Sequence, residues 1–272
     1  MLNSAIIIFR EVLEAALIVT IVLAATRGVA NRNRWILAGI GAGVLGALLV
    51  ASVTEQISMA FEGIGQELFN ALILLTAVVM LAWHNIWMAR HARALTAHLK
   101  QVGQNVASGS LPMYFLATAV GVAVLREGSE IVLFMYGLAA GGNNPLALLI
   151  GGLFGLAAGA LLGYLLYRGL LRIPVSRLFT VTGWMILLLA SGMAANAAMY
   201  LSQAGWLPSQ PPLWDTSGAL SEHSLAGQVF HVVVGYQERP TPMELGFYLV
   251  TLTLIAAGML LVRQSGKQHV SS

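Results

Sequence analysis

Six charged residues lie inside two apolar segments of the chain, in two copies of the pattern Arg-Glu-x-x-Glu. The copies are Arg10, Glu11 and Glu14, and Arg126, Glu127 and Glu130. In a helix the two glutamates of a copy share one face, and the arginine reaches that face from four positions before the second glutamate. Four carboxylates grouped in this way would form a hard, all-oxygen cation site. Such a site suits Ca²⁺, Mg²⁺, Mn²⁺ or iron, especially Fe³⁺.

The charges of the two motifs do not cancel. An ionised side chain at the centre of a bilayer costs about 2.5–3.5 kcal/mol on insertion scales. Two arginines against four glutamates leave a formal charge of −2, which a bound cation, or protons in the empty state, would neutralise. Because charges at this depth usually serve a function, we favour a cation site over an ion network that only holds two helices together.

The chain as a whole has the composition of an integral membrane protein. It has 272 residues, of which 58% are hydrophobic and only 9% charged, whereas a soluble domain carries about 25% charged residues. The mean hydropathy of +0.79 also excludes a disordered chain. Nucleic acid is not an expected partner, because the pI near 9.4 rests on few charges. Membrane lipid is the expected surrounding.

Cysteine is absent from the chain and the 11 methionines are dispersed. Disulfides, thiolate metal sites and cysteine nucleophiles are therefore excluded. A site for Cu⁺, which prefers sulfur ligands, is not indicated either.

Seven apolar runs are long enough to cross a bilayer as helices, at about 20 residues each. They cover 4–26, 35–53, 67–89, 112–140, 146–167, 178–202 and 243–262. The first run contains three charges and follows no positively charged segment, so we do not expect a cleavable signal peptide. The sequence thus predicts an all-α membrane protein with seven transmembrane helices.

The basic residues indicate the orientation of these helices. Eleven of the 14 lie in the segments after the first, third, fifth and seventh runs, and the opposite side holds only Arg239. By the positive-inside rule, the N-terminus lies outside and the C-terminus inside. None of the 11 acidic residues falls in a segment assigned to the inside.

The motif copies belong to an internal repeat. They are 116 residues apart, and the same offset places Gly39 and Gly43 on Gly155 and Gly159. Glycines spaced by four are typical of close helix packing in membranes. The third and sixth runs match only weakly, at an offset of 110 residues.

Because three runs separate the copies, the second unit enters the membrane from the other side. We predict one permease domain over 1–272, made of an inverted 3+3 repeat at about 4–89 and 112–202 and a seventh helix at 243–262. Inverted repeats are typical of secondary transporters with a substrate site near the midplane.

Residues 203–242, which we call the outer connection, contain five of the eight prolines. We expect this segment to fold over the outer mouth, with a short helix in 220–234 that has Ser221 as its N-cap. Carboxylate and imidazole side chains near the mouth could gather a cation. The candidates are Glu62, Glu67, Asp215, Glu222 and His223. Ordinary loop residues and acids at helix starts are the competing interpretation.

Three histidines spaced by seven, His84, His91 and His98, could line one helical stripe, as haem ligands would. Two of them lie beyond the third run, and no other predicted span offers a facing histidine. We therefore expect neither haem nor flavin.

In its motifs the chain resembles the oxidase-dependent iron permease family, which includes the yeast high-affinity iron permease and the bacterial Efe-type permease. That family has Arg-Glu-x-x-Glu in the first and fourth of seven membrane helices, with the N-terminus outside. Bacterial members also resemble the stretches Glu62–Glu67, Trp214–Ser217, Leu220–Glu222 and Gly235–Tyr236.

The resemblance covers nearly the whole chain, with two departures. Val12 stands where glycine is usual, and Asp215 and Glu222 are spread apart, unlike the compact acidic motif of yeast members.

The resemblance implies an iron permease of the bacterial inner membrane and not an enzyme. Iron is expected as the transported ion, as Fe³⁺ supplied by a partner that oxidises Fe²⁺. It would bind the four motif glutamates, with the two motif arginines in support. The implied partners are periplasmic iron-binding, cupredoxin-like or ferroxidase proteins. Lead or manganese uptake, a membrane redox enzyme such as a ferric reductase, and a structural membrane subunit remain the alternatives.

Overall fold

The structure is a computed structural model that describes residues 1–60, 65–169, 175–222 and 224–268. These residues form eight helices and contain no strand. The helices are α1 (Leu2–Ala25), α2 (Arg32–Ala60), α3 (Gln66–Ala107), α4 (Tyr114–Ala140), α5 (Pro145–Tyr167), α6 (Val175–Gln203), α7 (Leu225–Val234) and α8 (Pro242–Gln268).

Each of the seven predicted runs coincides with one of the long helices, and α7 is a short helix in the outer connection. Five of the long helices, α2, α3, α5, α6 and α8, are long and apolar enough to cross a membrane. The other two, α1 and α4, have 24 and 27 residues and carry the three charges of one motif each. That α1 and α4 also cross the membrane stays a prediction.

The third helix is longer than its apolar run. It has 42 residues and continues through the basic segment after 89, to a length of about 63 Å at 1.5 Å per residue. Hydropathy falls in this segment, but alanine, leucine, arginine and lysine still favour a helix there. The helix ends where Gly109 adopts a positive φ of 79°.

The short helix α7 begins later than the sequence indicates. Its N-cap is Ser224 and not Ser221, because the Ser224 hydroxyl oxygen accepts a hydrogen bond of 2.9 Å from the Gly227 amide. Gly235 ends the helix in the left-handed region, with φ 72°. The helix packs on α6 and α1, so the outer connection covers one end of the bundle.

The outer connection is held together by its own backbone. The amide of Leu213 donates to the carbonyl of Pro240, and that of Thr216 to the carbonyl of Glu238, both at 2.9 Å. The Tyr236 hydroxyl donates to the carbonyl of Leu220 at 2.8 Å. The start and end of the connection are thereby joined into one folded unit.

The two halves of the chain pack through equivalent contacts. A Cβ placed on Gly43 of α2 would lie 2.7 Å from the carbonyl oxygen of Gly121 and 2.9 Å from the amide nitrogen of Leu125 on α4. A Cβ on Gly155 of α5 would meet the carbonyl oxygen of Ala5, and the amide nitrogen of Phe9 at 2.9 Å, on α1. Ala5 and Phe9 are each 116 residues before their α4 counterparts.

This geometry corrects the alignment of the glycines. Gly155 corresponds in its contacts to Gly43, at an offset of 112 residues, and not to Gly39 as the sequence alignment has it. The structural match between α2 and α5 therefore differs from the sequence alignment by about one helical turn. The opposite orientation of the two halves in a membrane stays a prediction.

The core lies between α1, α3, α4 and α6. Fully buried apolar side chains from these four helices form one cluster, which includes Ile7, Leu81, Phe134 and Ile186. By contrast, α2 and α5 expose leucines along their outer faces, such as Leu49 at 68% and Leu153 at 67%. Faces of this kind suit contact with lipid.

We predict that Gly43→Ala lowers the apparent midpoint of thermal unfolding of the detergent-solubilised protein. The new methyl group would meet backbone atoms of α4 that cannot rotate away, and such overpacking costs about 1–3 kcal/mol. Gly41→Ala is the matched control, since a Cβ there has no heavy atom within 4 Å, and alanine favours a helix over glycine. Equal midpoints for the two variants would contradict the contact between α2 and α4.

Candidate metal site

The motif glutamates of α1 and α4 converge inside the bundle. Glu11 is 0% exposed, Glu14 2% and Glu127 3%, and the Glu130 side chain is 14% exposed. Burial of four carboxylates at one place is expensive unless they are paired or bind a cation. The structure therefore brings together the residues that the sequence singles out.

Small residues behind α1 and α4 allow this approach. On α4, a Cβ at Gly128 would lie 2.7 Å from the Cβ of Ala47 on α2. On α1, Val12 occupies the corresponding position and faces Gly159 of α5, where an added Cβ would lie 3.0 Å from the valine Cβ. Val12, where glycine is usual, thus packs away from the charged face and does not disturb the motif.

Each arginine contacts both glutamates of its own motif. Arg10 Nε lies 2.9 Å from a Glu14 oxygen, and its Nη1 lies 3.8 Å from Glu11. Arg126 Nε lies 3.2 Å from Glu130 and 3.9 Å from Glu127. The two arginines therefore offset part of the negative charge within each helix.

The arginines differ in their surroundings. Arg10 is 2% exposed, whereas the Arg126 side chain is 34% exposed. The guanidinium carbon of Arg126 also lies 4.1 Å from the ring centre of Trp87, a cation–π contact. Arg126 and Glu130 line a groove of about 400 Å³ with Trp83 and Trp87 of α3, so the site is more open on the α4 side.

A third helix contributes His84, which sequence reasoning considered only as a haem ligand. Its ring is 3% exposed. Nε2 lies 3.5 Å from Glu14 and 3.8 Å from Glu11, and Nδ1 contacts Glu130. Its signal in the sequence is that it is the one histidine inside a predicted span, and polar groups at that depth are usually functional.

The ligand atoms are close enough to share an ion. One ligand atom each from Glu11, His84, Glu127 and Glu130 lie within 4.8 Å of one another. Among the described residues, no donor forms a hydrogen bond with either Glu11 oxygen or with Oε2 of Glu127. Buried oxygens without donors are costly, and these are free to bind a cation.

Two of the acidic residues predicted at the mouth, Asp215 and Glu222, have partners within the outer connection. Asp215 forms an ion pair of 2.9 Å with Arg239 and accepts hydrogen bonds from the amide and hydroxyl of Ser217. These hydrogen bonds, with the guanidinium, lower the pKa of the Asp215 carboxyl to about 2. Glu222 accepts from the Glu238 amide at 2.8 Å, and Glu238 accepts from the Glu222 amide at 3.0 Å.

Asp215 and Glu222 therefore stabilise the outer connection itself. Glu67 is exposed in the first turn of α3, where an acid is favourable to the helix dipole. Glu62 and His223 lie outside the described residues.

A separate cavity of about 210 Å³ lies between the ends of α1, α4 and α6 and the outer connection. Its polar lining consists of amides and one imidazole, from Asn3, Asn143, Asn196, Gln237 and His231. We call it the amide-lined cavity. In the described part of the chain, the buried Oδ1 of Asn3 has no hydrogen-bond partner.

An apolar layer separates the amide-lined cavity from the glutamates. Asn3 is eight residues before Glu11, about 12 Å along the axis of α1. On the cavity side, Ile7 lies one turn before Glu11 and Phe134 one turn after Glu130. Both side chains are 0% exposed. They belong to the same apolar cluster, which lies between the cavity and the glutamates.

Known proteins resemble this chain over nearly its whole length. The family described as the iron permease FTR1 family matches residues 1–267. The ferrous iron permease EfeU of Escherichia coli O6:H1 is 34% identical over 275 residues, which cover 96% of this chain and 95% of the relative.

Two further relatives carry the same name. EfeU of Shigella sonnei is 35% identical over 260 residues, with 90% of each chain covered. EfeU of Yersinia pestis is 32% identical over 252 residues, with 90% of this chain and 88% of the relative covered. No solved structure matches the chain. The chain therefore belongs to the iron permease FTR1 family, whose members are transporters and not enzymes.

Proposed function

We propose that this chain carries iron across the bacterial inner membrane through a site formed by Glu11, Glu14, Glu127 and Glu130. The observation that carries the proposal is that glutamates of both motifs, Glu11, Glu127 and Glu130, bring ligand atoms within 4.8 Å of one another and of His84. Glu14 is buried beside them, 3.5 Å from Nε2 of His84. Arg10 and Arg126 lower the net charge and orient the carboxylates. They also keep the ion from binding too tightly to be released.

The formal charge of the site supports Fe²⁺ as the ion. Four glutamates and two arginines leave −2, which a divalent ion cancels, whereas Fe³⁺ leaves +1. The names of the relatives describe them as ferrous iron permeases. The hard oxygen ligands favour the alternative, Fe³⁺ supplied by a periplasmic iron-binding, cupredoxin-like or ferroxidase partner that oxidises Fe²⁺.

The membrane placement follows from the pairing of charges. Helices α1 and α4 cross the bilayer beside the five apolar helices, because each arginine pairs with the glutamates of its own motif and so lowers the cost of the buried charges. The excess of basic residues after alternate helices supports an N-terminus on the outside. The amide-lined cavity then faces the outside, because Asn3 at the start of α1 lines it.

The ion follows a route through the repeat. It leaves water in the amide-lined cavity, passes the layer of Ile7 and Phe134, and binds the glutamates. The equivalent contacts of α2 with α4 and of α5 with α1 support a rocking motion of one half against the other, which opens that layer and later exposes the site inward.

We predict that Glu14→Gln and Glu130→Gln each lower radiolabelled iron uptake into proteoliposomes more than about tenfold. Glutamine keeps the size of the side chain but removes the charge, and loss of even an outer-shell partner of a metal costs 10–100-fold. Ser129→Ala is the matched control within the motif, since its hydroxyl only donates to the Leu125 carbonyl of its own helix. Wild-type uptake by both glutamine variants would refute the site.

The same proteoliposomes separate the candidate ions. Uptake of iron kept reduced by ascorbate, with no uptake from a ferric chelate, is the result expected for Fe²⁺. The reverse result would assign Fe³⁺. The oxygen-rich ligand set also suits the second candidate function, which is uptake of a different metal. Competition by unlabelled manganese and lead tests this candidate. Inhibition of iron uptake by equimolar manganese would support that candidate.

We predict that Asn3→Leu raises the KM for iron uptake severalfold with little change in kcat. The substitution keeps the shape of the side chain and removes the free oxygen from the amide-lined cavity, so binding on the way to the site weakens. Asp215→Asn and Glu67→Gln test the acidic mouth instead. If these two raise the KM and Asn3→Leu does not, the acidic residues gather the ion and the amides do not.

A further inference from the structure

We propose that His84 is a ligand of the transported ion and that its nitrogen makes the site prefer iron to Mg²⁺, Ca²⁺ and Mn²⁺. This inference rests on the proposed function, because it adds a fifth residue to the four glutamates. The helix that carries His84 contains neither motif, so the residue lies outside the repeat of Arg-Glu-x-x-Glu.

The contacts of His84 place it at the centre of the cluster. Its ring reaches Glu11 and Glu14 of α1 through Nε2 and Glu130 of α4 through Nδ1. The ring is 3% exposed, and no hydrogen bond within the described residues satisfies either nitrogen. An ion that binds either nitrogen would replace the proton there, so the ring would offer a lone pair among the carboxylates.

The fold behind His84 fixes the rotation of α3. The neighbouring Asn85 is buried and donates its side-chain amide to the carbonyl of Gly183 on α6, at 3.0 Å. A Cβ at Gly258 of α8 would lie 2.6 Å from a methyl of Ile86. With Asn85 and Ile86 held from behind, the preceding residue points into the site.

The spacing of the ligand atoms suits one ion. A transition metal bound at about 2.1 Å from nitrogen and oxygen ligands separates opposite ligands by about 4.2 Å. One atom each from Glu11, His84, Glu127 and Glu130 already lie within 4.8 Å of one another. The widest separation in the set therefore exceeds that between opposite ligands of one ion by at most about 0.6 Å.

The nitrogen supplies a selectivity that oxygen alone cannot. Ca²⁺ and Mg²⁺ take oxygen ligands, and carboxylates also suit Mn²⁺, whereas imidazole suits iron, zinc, copper and nickel. Four carboxylates would therefore hold the common divalent ions together with iron. A neutral imidazole adds a donor that favours iron and leaves the formal charge of the glutamates and arginines at −2.

The test uses the full-length protein, in detergent for binding and in proteoliposomes for uptake. For His84→Gln we expect Fe²⁺ affinity to fall at least tenfold and Mn²⁺ affinity to change less than threefold. We expect excess Mg²⁺ and Ca²⁺ to leave wild-type iron uptake intact and to inhibit uptake by the variant. His98→Gln is the matched control, because His98 is an exposed histidine of the same helix.

A spectroscopic measurement tests ligation without relying on the variant's activity. X-ray absorption spectroscopy of Fe²⁺ bound to the wild type should show the multiple-scattering signal of an imidazole ring, and His84→Gln should lose that signal. Absence of the imidazole signal from bound Fe²⁺ in the wild type would overturn the inference even if the variant fails to fold. Equal losses of Fe²⁺ and Mn²⁺ affinity in a folded variant would also overturn it, since they indicate a structural role.

Glu130→Gln in the same binding assay separates this inference from the proposed function. If Glu130→Gln binds Fe²⁺ as tightly as the wild type, the four-glutamate site itself is wrong. If Glu130→Gln loses Fe²⁺ while His84→Gln retains both affinity and selectivity, only the role of His84 is refuted.

Discussion

The structure depends on one electrostatic constraint, which is that charges buried between helices must be neutralised by other buried groups. Four carboxylates and two guanidinium groups meet between α1 and α4, and neither helix could turn this face outward in a bilayer. The apolar cluster of Ile7 and Phe134 and the glycine contacts of α2 and α5 hold the two charged faces together. Because the arginines offset only half of the negative charge, the same constraint leaves a place for a cation.

Duplication builds the frame of the site but not all of its chemistry. The contacts of α1 with α5 reproduce those of α4 with α2, and each half supplies one motif. The third helix breaks the symmetry, because at the offset of 110 residues the counterpart of His84 is the apolar Ala194. The unequal exposure of Arg10 and Arg126 makes the α4 side the more open one. A site between two similar halves thus has a distinct direction.

The sequence predicts the helices and the charged motif well, because long apolar runs that contain paired charges are typical of membrane helices with a buried polar face. It does not reveal the length of α3, since hydropathy ends before helix propensity does. It also misses His84 in the cluster, because the spacing to His91 and His98 suggests a different pattern. The pairing of Asp215 with Arg239 depends on how the outer connection folds, which side-chain types alone do not determine.

The contact between Val12 and Gly159 shows that volume is shared across a helix pair and not fixed at one position. In the equivalent contact, Gly128 of α4 faces Ala47 of α2. Each pair thus joins a glycine to a residue with a side chain, but the glycine is on the motif helix in one pair and on its neighbour in the other. A larger residue at position 159 therefore requires a smaller one at position 12. The steric partner of a motif residue thus lies in the other half of the chain.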